Sequence, residues 1–289
     1  MERGKFLNSE FLVVGAENVL LGENPLWLSE KNRVCYLDII GKKLISTTLD
    51  GSGQDIEELN EETGSVALCS DGSLIFAATS GVFDQNQNLI CPLKRQDGIR
   101  FNDGKASPDG RYFVGTIEKS GGGKLFCLEN GELNVILESV KISNGLDWSI
   151  DGKAMYYCDT ATGKIVCFSY PDFKEKKIVI DFNQIPGFEG VPDGLCIDLE
   201  GNLWVAVWGG GCVVRVDAQT GEIIKKVKLP AKFISCPAFV GNELNKLFVT
   251  SAKNGGDSDF AGRCFVFDAN VKGRAPFKVD IQHKFKKEV

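Results

Sequence analysis

The chain alternates short apolar runs with turn residues, and this alternation repeats six times. One phase of the repeat is marked by six residues, which we call the anchor positions: Glu23, Gly64, Asn102, Asn144, Asp193 and Cys236. Neighbouring anchor positions are 38 to 49 residues apart, the shortest interval starting at Gly64 and the longest at Asn144. A self-similar period of this length is typical of propellers and solenoids.

A turn and a second apolar run follow each anchor position. The seventh residue after each anchor is Asp or Glu, and in four of the six repeats Gly comes next, as in Asp109-Gly110. Because Gly adopts positive φ without steric cost, this dipeptide between two apolar runs predicts a β-hairpin. The second run starts eleven residues after the anchor, for example at Trp204.

Later apolar runs complete each repeat, such as residues 212–216 and 222–227 in the fifth. Four antiparallel strands in about 40 residues make a propeller blade. The sequence therefore predicts an all-β fold, a six-bladed β-propeller with four-stranded antiparallel blades, built from residues 1–289 as a single domain. A β-sandwich, the alternative, would have no regular six-fold phase. Residues 11–14 are predicted to cover the edge of the last blade as its outer strand.

Composition limits the cellular location and the binding partners that we expect for the protein. Hydrophobic residues make up 43% of the chain, enough for a sizeable core, and the formal net charge is −6. No Lys/Arg block is long enough to follow a phosphate backbone, so we expect no nucleic-acid partner. The apolar runs before residue 22 are too short for a signal peptide or a membrane span, and we expect a cytoplasmic protein that makes no membrane contact. Ten singly scattered cysteines favour reduced thiols over a disulfide scaffold.

The repeat phase brings polar anchor positions to one end of a central channel. Glu23 and Asp193 contribute carboxylates and Asn144 an amide, with Asn102 nearby. Oxygen donors favour a hard divalent cation, so we expect Ca²⁺, with Mg²⁺, Mn²⁺ or Zn²⁺ as alternatives. Each Asn-Gly or Asp-Gly pair taken alone would indicate a turn. Their common position in the repeat favours metal ligation over turn formation.

Several other side chains bear on the expected function of the channel. Arg100 stands two residues before Asn102 and is a candidate to hold a substrate oxygen. We expect Asp103 to stabilise a turn. We expect all four tryptophans to pack between blades, and of the four Trp208 is the best candidate to border a pocket. His283, the single histidine, lies far from every anchor in the sequence, which argues against a histidine-based catalytic triad.

Four motifs in order resemble those of the regucalcin (senescence marker protein), gluconolactonase and luciferin-regenerating enzyme family of six-bladed propellers. They are Gly22-Glu23-Asn24-Pro25-Leu26-Trp27, residues 100–105 with 107–110, residues 143–149, and Pro192-Asp193-Gly194. The resemblance implies that Glu23, Asn144 and Asp193 bind the metal and that Asp193 is also the catalytic base. It further implies that Arg100 and Asn102 bind substrate. Some relatives carry a substrate-contacting glutamate after the Gly-Thr that matches Gly115-Thr116; here the loop is shorter, and Glu118 is the candidate to replace it.

The metal site predicted from the residues, together with the resemblance, implies a divalent-metal-dependent hydrolase of lactones, with a sugar aldonolactone such as gluconolactone as the small-molecule substrate. A second possibility keeps the metal but changes the substrate to an ester, a phosphotriester or a luciferin-related compound. A third is a calcium-binding regulator or a propeller scaffold without catalysis, which would have no need for Arg100. The sequence leaves the oligomeric state open.

Overall fold

The computed structural model describes residues 11–15, 19–94, 98–118, 121–255, 258–280 and 282. His283 lies outside these residues. Within them, secondary structure is almost entirely strand, with three single-turn 3-10 helices at Ser29–Lys31, Thr160–Thr162 and Phe182–Gln184. The predicted all-β class is therefore confirmed. No helix in these ranges is long and apolar enough to cross a membrane.

Sixteen of the strands described form four antiparallel sheets, each made of four consecutive strands. The first two sheets are β2 (Gly22–Leu28), β3 (Arg33–Asp38), β4 (Lys43–Thr47) and β5 (Gln54–Glu58), then β6 (Thr63–Leu68), β7 (Leu74–Ala78), β8 (Gly81–Asp84) and β9 (Leu89–Pro92). The next two are β10 (Arg100–Ala106), β11 (Tyr112–Ile117), β12 (Gly123–Glu129) and β13 (Glu132–Val140), then β14 (Ser143–Trp148), β15 (Ala154–Asp159), β16 (Lys164–Ser169) and β17 (Lys176–Asp181). This arrangement confirms the predicted four-stranded units.

The remaining strands belong to one eight-stranded sheet. They are β1 (Phe11–Val14), β18 (Val191–Ile197), β19 (Leu203–Trp208), β20 (Cys212–Val216), β21 (Ile223–Lys228), β22 (Phe233–Val240), β23 (Lys246–Ala252) and β24 (Cys264–Asp268). Strands β18 to β21 connect to β22 to β24 through a single residue pair, Trp208 with Phe233. The N-terminal β1 pairs antiparallel with β24, the last strand, as predicted. Pairing between the two ends of the chain covers the outer edge of β24.

The first strands of the repeats contact one another in a closed cycle. Strands β2, β6, β10, β14, β18 and β22 touch in chain order, and β22 also touches β2. Each of these strands has an irregular register with the strand that follows it, and the anchor position lies at or inside that irregularity. A β-bulge redirects the side chains of the strand that carries it. The regular spacing of the anchor positions in the sequence therefore corresponds to a β-bulge that recurs in every repeat.

Glycines in the predicted hairpin turns adopt the left-handed conformation that the sequence requires. Gly110 has φ of 80° and Gly201 has φ of 84°. The core consists of apolar side chains between the sheets, including Trp27, Trp148 and Trp204, which are buried as expected. The ten cysteines are free thiols, and all except the half-buried Cys167 are buried, in agreement with the prediction of reduced thiols.

Candidate functional site

The bulges place four polar anchor side chains in the interior of the fold. Glu23, Asn102, Asn144 and Asp193 lie on four different first strands, and all four are buried. Asn144-Gly145 and Asp193-Gly194 lie within β14 and β18, so they are parts of strands and not turns. Burying polar groups is costly unless they are paired. Their partners therefore indicate what the site is built to do.

Asn144 and Asp193 are joined directly. The Asn144 Nδ2 donates a hydrogen bond to Asp193 Oδ1 and another, of 3.0 Å, to Thr160 Oγ1. The Thr160 hydroxyl itself donates to the carbonyl oxygen of Pro192 at 2.8 Å, so its oxygen is left to accept. This fixes the orientation of the amide. The Asn144 Oδ1 is buried and has no hydrogen-bond partner.

The carboxylate of Glu23 belongs to the same electrostatic cluster. Burial raises the pKa of Glu23 well above its ordinary value, and the charges of Asp193 and Asp103 raise it further. Burial likewise raises the pKa of Asp193, with an added contribution from Asp103. Packed carboxylates disfavour each other's ionised form, and a nearby cation reverses that effect.

These residues fit a divalent cation. Glu23 and Asp193 supply two mutually repelling carboxylates, and Asn144 Oδ1 is a buried acceptor without a donor. Such an oxygen set matches the ligand preference of Ca²⁺ and Mg²⁺. The described residues contain no group of three or more His, Cys, Asp or Glu side chains able to hold a metal. The amide oxygen is thus essential to this candidate site, which has only two acidic members.

Arg100 and Asn102 form a second pair beside the cluster. The Arg100 Nη1 donates to Asn102 Oδ1 and to the carbonyl oxygen of Phe101, both at 2.9 Å. The Asn102 Nδ2 donates to the carbonyl oxygen of Ser143 at 2.8 Å. Burial lowers the pKa of Arg100, although Glu62 and Glu23 oppose this shift. The guanidinium therefore lies within reach of the charge of Glu23.

Glu118 lies at the same end of the β10–β11 pair as Arg100. It directly follows Ile117, which pairs with Arg100 across β10 and β11. Its backbone N–H donates to the carbonyl oxygen of Lys141 at 3.2 Å. The side chain is half-buried.

Two glycines that follow anchor positions permit the first strands to approach each other closely. A Cβ on Gly145 would lie 2.5 Å from the backbone nitrogen of Leu195, and one on Gly194 would lie 2.5 Å from the sulfur of Cys236. Neither distance is compatible with a side chain. Gly145 brings β14 against β18 and thereby allows Asn144 to reach Asp193, and Gly194 brings β18 against β22.

Thr160 was not predicted from the sequence, and Asp103 was predicted to lie in a turn. Thr160 stands sixteen residues after Asn144, and Glu118 stands sixteen after Asn102, so the repeat phase carried a signal for Thr160. Asp103 is not a turn residue, because it lies within β10. Its Oδ1 accepts hydrogen bonds from Asn24 Nδ2 and from the backbone nitrogen of Gly104, both at 2.7 Å. It ties β10 to β2.

A second buried polar cluster lies further along the first strands. The Lys105 Nζ donates to Asp147 Oδ2 at 3.2 Å and to the carbonyl oxygen of Leu195 at 2.9 Å. Arg274, from the C-terminal segment, donates from Nη2 to Asp147 Oδ1. Burial alone would raise the pKa of Asp147, but Lys105 and Arg274 outweigh it and hold that pKa below its ordinary value. This cluster anchors the C-terminal segment to the first strands.

Comparison with known proteins identifies the family. Residues 21–253 match the model of the SMP-30/Gluconolactonase/LRE-like region, and the chain belongs to this family. Regucalcin from Xenopus laevis is 34% identical over 91% of this chain and 96% of its own length. The putative sugar lactone lactonase YvrE of Bacillus subtilis is 34% identical over 81% of this chain and 84% of its own length. A crystal structure described as a calcium-binding protein, regucalcin, from Agrobacterium tumefaciens superposes with a TM-score of 0.84 at 27% identity, covering 92% of this chain and 96% of that one.

Proposed function

We propose that this protein is a divalent-metal-dependent lactonase that hydrolyses a sugar aldonolactone such as gluconolactone. Membership of a family that contains gluconolactonases supports a lactonase-type activity. The observation that carries the proposal is the buried Asn144 Oδ1, which lacks a hydrogen-bond partner beside the carboxylates of Asp193 and Glu23. A cation would satisfy that oxygen and offset the repulsion between the carboxylates.

The architecture in this proposal is a six-bladed propeller that spans residues 1–289 as one domain. The closed cycle of first strands supports it. So does the single pair, Trp208 with Phe233, that joins the two halves of the eight-stranded sheet, because each half then counts as one four-stranded blade. In this arrangement the bulged anchor residues share one end of the central channel.

Each side chain has a proposed role. Glu23, Asn144 and Asp193 would hold the cation, with Ca²⁺ preferred for its affinity for oxygen ligands. When bound, the cation supplies Lewis-acid polarisation of the lactone carbonyl. Asp193 accepts the proton of the attacking water, and Arg100 and Asn102 orient the ring oxygens, which lowers the entropic part of the barrier. Glu118, at the edge of the site, contacts a substrate hydroxyl.

Substitution of Asp193 tests the catalytic assignment. We expect Asp193→Ala to lower gluconolactone turnover by at least about a hundredfold in the presence of saturating metal, because it removes both a ligand and the base. Asp55→Ala, at a surface carboxylate whose side chain is 82% exposed, is the matched control and should keep wild-type turnover. Wild-type turnover by Asp193→Ala would refute the assignment.

A calcium-binding role without catalysis is the second candidate, favoured by the similarity to the Agrobacterium tumefaciens regucalcin, which is described as a calcium-binding protein. The two roles differ in their need for Arg100, which contacts Asn102 and belongs to no proposed ligand set. If the protein is a lactonase, Arg100→Ala should keep metal binding and lose most lactone turnover. A wild-type protein that binds Ca²⁺ tightly but hydrolyses no lactone or ester would support the binding role instead.

A further inference from the structure

An apolar cleft opens near the start of β2, the strand that carries Glu23. It has a volume of about 340 Å³ and is lined by the apolar residues Leu20, Leu21, Ile40, Trp208 and Ala252 together with Lys253, Asn254 and Gly255. This volume lies within the range of about 300 to 1,000 Å³ that is common for small-molecule pockets. Ile40 is 52% exposed and Leu20 is 43% exposed. Apolar side chains grouped and exposed in this way mark a surface that binds something.

Two segments of the chain lead from the cleft to residues of the site. Leu21 comes two residues before Glu23 and directly before β2, and Trp208 on β19 pairs with Val191 on β18, two residues before Asp193. Two residues of extended strand span about 7 Å. A group attached to a lactone ring at the site would therefore reach the cleft within a few bonds. Trp208 stacks against Phe233 with ring centroids 5.0 Å apart, which holds the indole in place.

We propose that this cleft binds an apolar substituent of the substrate, so that a lactone with an alkyl or aryl group on its ring is also a substrate and is preferred over the unsubstituted ring. The proposal rests on the proposed lactonase function and extends its substrate range beyond sugar aldonolactones. Arg100 and Asn102 would contact the polar side of the ring, while Ile40 and Trp208 would contact the substituent. Each buried methylene is expected to raise kcat/KM about fourfold.

Two δ-lactones that differ in one substituent provide the kinetic test. δ-Nonalactone carries a butyl group on the ring, and δ-valerolactone carries none. We expect wild-type kcat/KM to be at least about tenfold higher for δ-nonalactone, and Ile40→Ser to reduce this ratio about threefold or more. Leu199→Ser is the matched control, since Leu199 is 51% exposed and lies beyond the other end of β18, and it should keep the wild-type ratio. Equal rates for the two lactones, or an unchanged ratio in Ile40→Ser, would overturn the proposal.

Tryptophan fluorescence tests the same inference without turnover. Trp27, Trp148 and Trp204 are buried, and Trp208 alone of the four is partly exposed. With chelator present, δ-nonalactone should change the emission of the wild type, δ-valerolactone should not, and Trp208→Phe should abolish the response. A selective response without any lactone hydrolysis would support the cleft and refute the lactonase. Hydrolysis with no response and no preference for δ-nonalactone would refute the cleft and leave the lactonase standing.

Discussion

The amide nitrogen of Asn144 donates a hydrogen bond to the carboxylate of Asp193 across a sequence separation of 49 residues. The two side chains meet because each lies in a bulge of its strand and because Gly145 lets β14 approach β18 closely. The same hydrogen bond uses the amide nitrogen and leaves the buried amide oxygen without a hydrogen-bond partner. One contact thus joins two repeats and orients an oxygen that is available to a cation.

Thr160 should control metal affinity although it is not a proposed ligand. Its hydroxyl oxygen accepts from Asn144 Nδ2, and this bond fixes the amide orientation. We expect Thr160→Val to weaken divalent-cation binding by about tenfold or more, as is usual when the partner of a ligand is removed. Isothermal titration calorimetry with Ca²⁺ measures the change. Thr162→Val, in the same 3-10 turn, is the control, and equal affinities of the two variants would contradict this role.

The strand β1 should contribute to stability through its buried residue Val14. Val14 is buried in the core, whereas Leu12 on the same strand is 45% exposed. We expect Val14→Ser to lower the free energy of unfolding by about 2 kcal/mol, since a buried valine side chain is worth about that much. Leu12→Ser should cost less than about 0.5 kcal/mol. Chemical denaturation distinguishes the two, and similar losses would show that β1 does not pack as described.

Asp147 should make stability depend on acid pH. Because Lys105 and Arg274 hold its pKa below the ordinary value despite burial, its contribution is complete above the unfolded pKa of about 3.9 and is lost as the pH falls through the lower folded value. We expect Asp147→Asn to cost about 3 kcal/mol at pH 7, where it leaves two cations without their carboxylate.

Denaturation of both proteins at pH 7 and at pH 3 tests this expectation. The difference in unfolding free energy between the wild type and Asp147→Asn should shrink at the lower pH. A difference that is the same at both pH values would mean that the charge of Asp147 does not stabilise the fold. Asp55→Asn, at an exposed position, serves as the control for a surface carboxylate.

Much of the fold was predictable because each repeat is marked by local sequence features. The turn glycines, the strands that follow them and the pairing of β1 with β24 all matched the sequence pattern. The repeat phase predicted that Glu23, Asn144 and Asp193 would precede or begin the first strands and approach a central channel. In the structure they lie within these strands and are buried.

Other features depend on contacts that a local pattern does not contain. Asp103 looked like a turn residue because Asn-Asp-Gly usually forms turns, but the bulge accommodates it within β10. Arg274 reaches Asp147 over 127 residues, and no repeat phase marks it. Trp208, the tryptophan that the sequence made the best candidate to border a pocket, packs against Phe233 and also lines the apolar cleft. The depth of its burial depends on neighbouring strands that only the folded structure brings together.

Activity of the metal-free protein tests the central claim most directly. The protein is treated with chelator, assayed on a panel of lactones that includes gluconolactone, and assayed again after addition of Ca²⁺, Mg²⁺, Mn²⁺ or Zn²⁺ in turn. We predict background hydrolysis after chelation and recovery with at least one cation for the wild type, and no recovery for Asp193→Ala. Full activity in the chelated wild type, or equal recovery in Asp193→Ala, would contradict a metal-dependent lactonase built on Glu23, Asn144 and Asp193.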